Sequence, residues 1–328
     1  MSRELNIDLL RVVATMMVII LHSFAIYIVT NYDYYNYDLM LSTSIAVFTR
    51  VAVPLFVMVS GRYLIDCLSK MSIKEFYFKR AKRIMYPLLF WSIVYSIYKI
   101  LFVEGTTLQS NITDFIMGVP YIHLWFLYMI LGLYLITPIL YGLKKRLSPK
   151  SYILFSIVSL LVAPIFELTV NIQFFQFFTY LGFFTMGDIL KDYVVERRTR
   201  LLSLLGYFFC MFIAVGFTVY FLSLKSDTAF NFSGSTMYTT TIGTICLYVF
   251  FNGLVSKESV LSKISMYSMG IYCIHHLILD LLANYTDETI TGIMVIDAGF
   301  YAIATFVMSF ALIHYFSKAK YVAKWIGL

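Results

Sequence analysis

Charge is what this sequence has least of. Only 13% of its 328 residues are Asp, Glu, Lys or Arg, about half the share of an ordinary soluble domain. Hydrophobic residues make up 60%, and the mean hydropathy is +0.81. So little polar surface cannot cover a chain of this size in water, which excludes a soluble globular protein. No long polar block separates the apolar runs between residues 7 and 316. One integral-membrane domain over 1–328 with no soluble appendage is therefore expected. Cysteine is scarce: Cys67, Cys210, Cys246 and Cys273 are scattered, three of them inside apolar runs. That leaves neither a disulfide framework nor paired metal-ligand spacing, so no metal is expected. The alternating pattern of a membrane barrel is missing. No cleavable leader is expected either, because the first apolar run starts after six residues and continues for over 20. Such a run is too long for an h-region and reads as a signal anchor that stays.

What is there is a series of long apolar runs. A bilayer core about 30 Å thick needs roughly 20 helical residues to cross. Runs of that order lie near 7–29, 42–61, 84–103, 120–142, 152–168, 173–190, 201–222, 236–254, 266–284 and 293–316. The expected fold class is therefore all-α, a polytopic membrane bundle of ten transmembrane helices. Only helices satisfy the backbone within each lipid-facing segment. Placing both termini in the cytoplasm puts 22 of the 25 Lys and Arg in inner segments and one, Lys225, in an outer loop. Arg50 and Lys99 fall within spans. This is the positive-inside pattern. The outer loops are acidic, with Asp33, Asp38, Glu104, Asp114, Asp227, Asp287 and Glu288. The net charge of +7 thus reflects topology and attraction to anionic lipid, and no nucleic acid partner is expected.

Ionisable residues at membrane depth cost several kcal/mol, so each is a functional candidate. The first span holds Asp8, Arg11 and His22. Eleven residues separate the last two, about three helical turns, so both project from nearly one face with a rise of about 16 Å. Arg11 would sit near the cytoplasmic interface and His22 past the midplane. A lone histidine is ordinarily a hydrogen-bonded packing residue, and Arg11 alone an interfacial anchor, yet His is also the side chain suited to general-base work near neutral pH. The second span reads Arg50-Val-Ala-Val-Pro54-Leu-Phe-Val-Met-Val-Ser60-Gly61. Pro54 should loosen that helix, and broken backbone at depth is tolerated mainly beside a cavity; alternatively, Arg50 snorkels and Pro54 is a passive kink. The following loop carries Lys70, Lys74, Lys79, Arg80, Lys82 and Arg83, which is either simple positive-inside bias or a clamp for phosphates. His123-Leu-Trp125-Phe126 and Gly270-Ile-Tyr272-Cys-Ile-His275-His276, followed by Asp280, complete the set.

In this order, the Asp8-x-x-Arg11 pattern with ten residues before His22, the Arg50-x-x-x-Pro54-Leu55-Phe56 segment ending in Ser60-Gly61, the Arg80-x-x-Arg83 pair, His123-Leu-Trp125-Phe126 and Gly270-Ile-Tyr272-x-x-His275 resemble the acyltransferase-3 family of bacterial membrane acyltransferases. The likeness covers essentially the whole chain. It implies a multi-pass protein of the bacterial cell membrane. The implied reaction moves an acyl group, acetyl by expectation, from cytoplasmic acyl-CoA to a hydroxyl of an envelope or exported polysaccharide. It further implies that Arg80 and Arg83, with Arg11, hold the coenzyme A phosphates or the arm's entrance. His22 would act as general base or as a covalent acyl carrier, and Arg50 would steady the oxyanion. Asp8 would hold Arg11, while Ser60, His123, Trp125, Tyr272 and His275 would line the cavity. Besides acyl-CoA and the glycan, the expected partners are membrane lipids. The rival reading is an exporter of a polysaccharide or lipid-linked sugar. Exporters often carry two matching broken helices, and the second half shows no counterpart to Arg50–Pro54.

Overall fold

The computed structural model describes residues 4–30, 36–169, 173–226, 229–254, 263–285 and 290–328. Arg3, Asp33, Asp227, Asp287 and Glu288, which entered the charge pattern, lie outside the described residues. Every regular element among the described residues is helical. The long ones are α1 (Leu5–Thr30), α2 (Tyr37–Thr49), α3 (Ala52–Leu64), α4 (Ile73–Phe102), α5 (Leu108–Met117), α6 (Trp125–Arg146), α7 (Pro149–Thr169), α8 (Phe177–Leu190), α9 (Arg197–Ser223), α10 (Tyr238–Asn252), α11 (Ser268–Tyr285) and α12 (Met294–Ser317). Among the described residues, eight helical stretches are long and apolar enough to cross a membrane, α2, α3 and the turn after them counting as one. The other two expected crossings fall on shorter helices, α8 with 14 residues and α10 with 15. At 1.5 Å per residue each covers only about 21–23 Å.

The second expected span is two helices rather than one. They break at Arg50–Val51, between α2 and α3, four residues before Pro54. A proline ring clashes with the carbonyl four residues back and offers no N–H to it, so the ladder stops at Arg50. Pro54 itself sits in the first turn of α3, where a missing donor is harmless. The expected basic loop over 62–83 is corrected as well. Most of it is the short 3₁₀ element Ile65–Ser69 and the first three turns of α4. Ser72 caps that helix by accepting from the Glu75 N–H at 3.2 Å, and Glu75 pairs with Lys79 one turn on at 2.7 Å. The basic residues therefore ride on a helix face. The helix α5 was not anticipated; a reciprocal Thr107–Ser110 capping box starts it and left-handed Gly118 ends it. Its Asp114 pairs with Lys99 at 2.7 Å, accounting for the one lysine inside a span.

The described chain divides into two compact units, 1–56 with 192–312, and 57–191 with 313–328. In the first, Phe24, Ile28, Leu39, Ala46, Leu222, Ala229 and Ala298 form one buried cluster drawn from α1, α2, α9, the 3₁₀ turn Ala229–Ser233 and α12. The Tyr207 hydroxyl donates to the Phe48 carbonyl at 2.7 Å, tying α9 to α2. In the second, α3 and α8 meet backbone to backbone. A Cβ on Gly61 would fall 1.8 Å from the Phe184 carbonyl oxygen, and one on Gly187 would fall 1.9 Å from that of Met58. Small residues permit this closeness in membrane helices. Outward faces remain apolar: Ile93, Leu101, Leu154, Leu161, Phe209 and Ile303 are all exposed, as lipid-facing positions require.

Candidate active site

In the first unit, α1 and α11 bring three imidazoles together. The His22 ring centroid lies 5.1 Å from that of His275 and 5.2 Å from that of His276. His275 Nε2 is 3.1 Å from His22 Nδ1. The other nitrogen of His275, Nδ1, bonds the Tyr272 carbonyl. A carbonyl only accepts, so His275 carries its proton on Nδ1, and in a neutral imidazole the remaining nitrogen is an acceptor. In that pairing His22 donates from Nδ1, the tautomer whose lone pair is on Nε2; His22 also hydrogen-bonds the Val18 backbone. The hydrogen-bond network assigns this tautomer, and it is the form in which an imidazole can take a proton from a ligand. His275 is wholly buried, so its orientation is held by packing as well. Tyr272 contributes its backbone carbonyl to this arrangement, with its ring centroid 5.7 Å from that of His275. His276, which sequence reading passed over as a site residue, places Nδ1 3.1 Å from Asp280 Oδ1.

The remaining charged candidates of that unit fall where helix geometry puts them. Asp8 is buried and its Oδ1 lies 3.4 Å from Arg11 Nη1, one turn on. The Arg11 side chain keeps 34% of its surface exposed. Asp8 thus orients a guanidinium that is only partly buried. The Arg11 carbonyl accepts from the Thr15 hydroxyl at 2.8 Å, so α1 is continuous there. Arg50 lies at the α2–α3 break, in the same unit as His22.

The second unit holds the other candidates. Arg80 Nη2 lies 3.5 Å from Cys67 Sγ, and Arg83 is exposed one turn further along α4. His123 is buried at the start of α6, edge-on to Tyr95 at 5.2 Å and to Tyr121 at 6.0 Å, and those two tyrosines stack at 4.2 Å. Trp125 is half-buried, its ring 6.0 Å from that of Tyr180, and Ser60 is half-buried on α3 beside Gly61.

Sequence reading missed one cluster altogether. Asp188, fully buried near the end of α8, accepts from Lys191 at 2.7 Å and from Lys144 at 3.0 Å. Tyr152 donates to its other oxygen at 3.3 Å. Both lysines also hold Asp66, Lys144 at 2.8 Å and Lys191 more closely. Burial alone would lower the Lys191 ammonium, but the hydrogen bonds and charges of Asp188 and Asp66 raise it above the ordinary lysine range. Two carboxylates balance two ammoniums, so the group closes on itself. The signal was an aspartate inside Phe-Phe-Thr-Met-Gly-Asp188-Ile-Leu, an acid in an apolar run.

A family model described as an acyltransferase domain matches residues 4–314. No curated protein and no solved structure matches the chain.

Proposed function

The chain belongs to the acyltransferase-3 family, a membrane acyltransferase family, and from that premise we propose that it moves an acetyl group from cytoplasmic acetyl-CoA to a hydroxyl of an envelope or exported glycan. The observation that supports the reading most directly is the hydrogen-bonded His22–His275 pair, because it leaves the lone pair of His22 on Nε2. In our reading ten helices cross the bacterial cell membrane with both ends in the cytoplasm. Arg11 then lies near the inner surface and His22 about 16 Å further across. That rise is comparable to an extended pantetheine arm.

The reaction follows from these placements. The guanidiniums of Arg80 and Arg83 grip coenzyme A phosphates, for which their planar forks suit them. Arg11, oriented by Asp8, meets the arm. His22 Nε2 takes the acceptor's hydroxyl proton as its oxygen bonds to the thioester carbonyl carbon. Arg50 stabilises the negative charge that develops on the carbonyl oxygen. The carbon–sulfur bond then breaks, and His22 returns the proton to the departing thiolate, giving the acyl ester and coenzyme A thiol. Tyr272, whose carbonyl holds His275, borders the reacting groups.

The test supplies labelled acetyl-CoA to inverted membrane vesicles holding an envelope glycan fraction. His22→Ala should lower transfer by about 100-fold or more, the usual worth of a positioned base. Transfer that survives the substitution would remove His22 from the chemistry. Glycan export without any transfer by the unaltered protein would favour the exporter.

A further inference from the structure

Residues 315–328 lie beyond the 4–314 that the family model matches, and they have a built structure of their own. After α12 the chain turns through the short helix Lys320–Ala323. The Trp325 and Ile326 N–H groups then donate to the Val322 carbonyl at 2.8 and 3.2 Å, and the Leu328 N–H donates to that of Ala323 at 3.0 Å. Gly327 supplies the left-handed backbone of this turn, with φ 98°. Ile326 is buried, which anchors the segment next to Trp325.

Trp325 meets Tyr86 of α4, with ring centroids 4.6 Å apart and planes at 51°. Rings tilted by that much form a V, so each keeps a face that the other does not cover. Both side chains are half-buried, and part of each ring is therefore open. Lys324 is exposed, with Nζ 5.3 Å from the Tyr86 centroid and 5.6 Å from that of Trp325, within reach of a cation–π contact. Arg83 is exposed three residues before Tyr86 on α4, a spacing that puts Cβ atoms about 5–6 Å apart on one helix surface. Open aromatic faces beside exposed cations are what a nucleotide needs, since the base stacks on a ring and the phosphate meets a guanidinium or ammonium. An interfacial membrane anchor needs its ring turned outward instead. Tyr321 of the same segment is placed that way, 88% exposed, whereas Trp325 turns onto α4.

We propose that Trp325 and Tyr86 form the platform on which the adenine of the acyl-CoA donor stacks, with Arg83 and Lys324 meeting the phosphate on its ribose. This rests on the reading of acyl-CoA as the donor. It extends the phosphate grip of Arg80 and Arg83 to the base at the far end of coenzyme A. The platform touches only the nucleotide, which is the same in the ground state and the transition state. It therefore acts on donor binding and KM, and leaves the chemical step alone.

The experiment follows acetyl transfer to an envelope glycan fraction by the full-length protein in inverted vesicles, with two donors. One is acetyl-CoA; the other is S-acetylpantetheine, which carries the same thioester and arm without the nucleotide. Trp325→Ala should raise KM for acetyl-CoA roughly 10-fold, as loss of one stacked base does, with kcat nearly unchanged, and Trp325→Phe should keep most of the affinity. Transfer from S-acetylpantetheine should be equal in Trp325→Ala and the unaltered protein. Equal losses with both donors would make Trp325 a fold or membrane anchor and overturn the proposal, as would an unchanged KM for acetyl-CoA. Binding is read apart from turnover: adenosine 3′,5′-bisphosphate should quench the tryptophan emission of the unaltered protein but not that of Trp325→Phe. Quenching that persists in Trp325→Phe would put the base elsewhere and overturn the platform while leaving the donor standing. An unaltered protein that neither binds this nucleotide nor transfers from acetyl-CoA would instead overturn the donor reading itself.

Discussion

Two clusters of buried ionisable groups, one in each unit, solve the same problem differently. Around Asp188 every charge has its opposite: Lys144 and Lys191 each touch both Asp66 and Asp188, and Tyr152 adds a donor. Around His22 the partners are imidazoles, in contact with each other by single hydrogen bonds and ring edges. A closed ion network satisfies desolvated groups and leaves no capacity over, so it suits a site whose task is to join helices. An imidazole network changes charge without moving atoms far, so it suits a site whose task is to take and return a proton. The contrast separates the two kinds of buried polar residue more clearly than their common position in apolar helices does.

The contrast can be broken from either side. Asp188→Ala removes the acceptor that two lysines and a tyrosine share. It should cost about 3–5 kcal/mol, the usual penalty for leaving a buried charge unpaired, read as a lower thermal midpoint and poor recovery of folded protein. Asp188→Ala that unfolds at the temperature of the unaltered protein would show that the network holds nothing. His275→Leu is expected to do the opposite. It removes the nitrogen that accepts from His22 Nδ1, so the His22 tautomer is no longer set. Acyl transfer should fall roughly 100-fold, as for loss of an orienting group in a catalytic pair, with the thermal midpoint shifted by only a few degrees. Asp66→Asn gives the smallest effect and sharpens the comparison. The Asp66 side chain is 42% exposed, so solvent screening limits the change to about 1 kcal/mol or less. A loss as large as that of Asp188→Ala would mean that the exposed carboxylate carries the network.

Much of this molecule was legible residue by residue, and the reasons differ. The apolar runs near 7–29, 84–103, 120–142, 201–222 and 293–316 appear as helices because length and hydropathy act locally. Arg50 and Pro54 announced a break, and the break is there, since a proline's missing donor and ring clash are fixed by its chemistry. Asp8 and Arg11 meet because three residues is nearly one turn. Four residues is likewise nearly one turn for His276 and Asp280, but nothing in the string marked His276 as facing His22. The basic stretch over 70–83 looked like a loop because its charges hide an apolar face that includes buried Phe76 and half-buried Tyr77.

What the sequence determined by itself is the chemistry available: helices, because a backbone in lipid must bond within its own segment, and a short set of ionisable residues too costly to be there without purpose. Which of those residues meet was decided by the tertiary structure alone. His22 and His275 are 253 residues apart, and Asp66 and Lys191 are separated by 125. Distances of that kind depend on how whole helices pack, through contacts such as Gly61 against the Phe184 carbonyl, and no local spacing encodes them. The protonation pattern of the histidines follows from the packing in turn, because only a positioned Tyr272 carbonyl tells one ring nitrogen from the other.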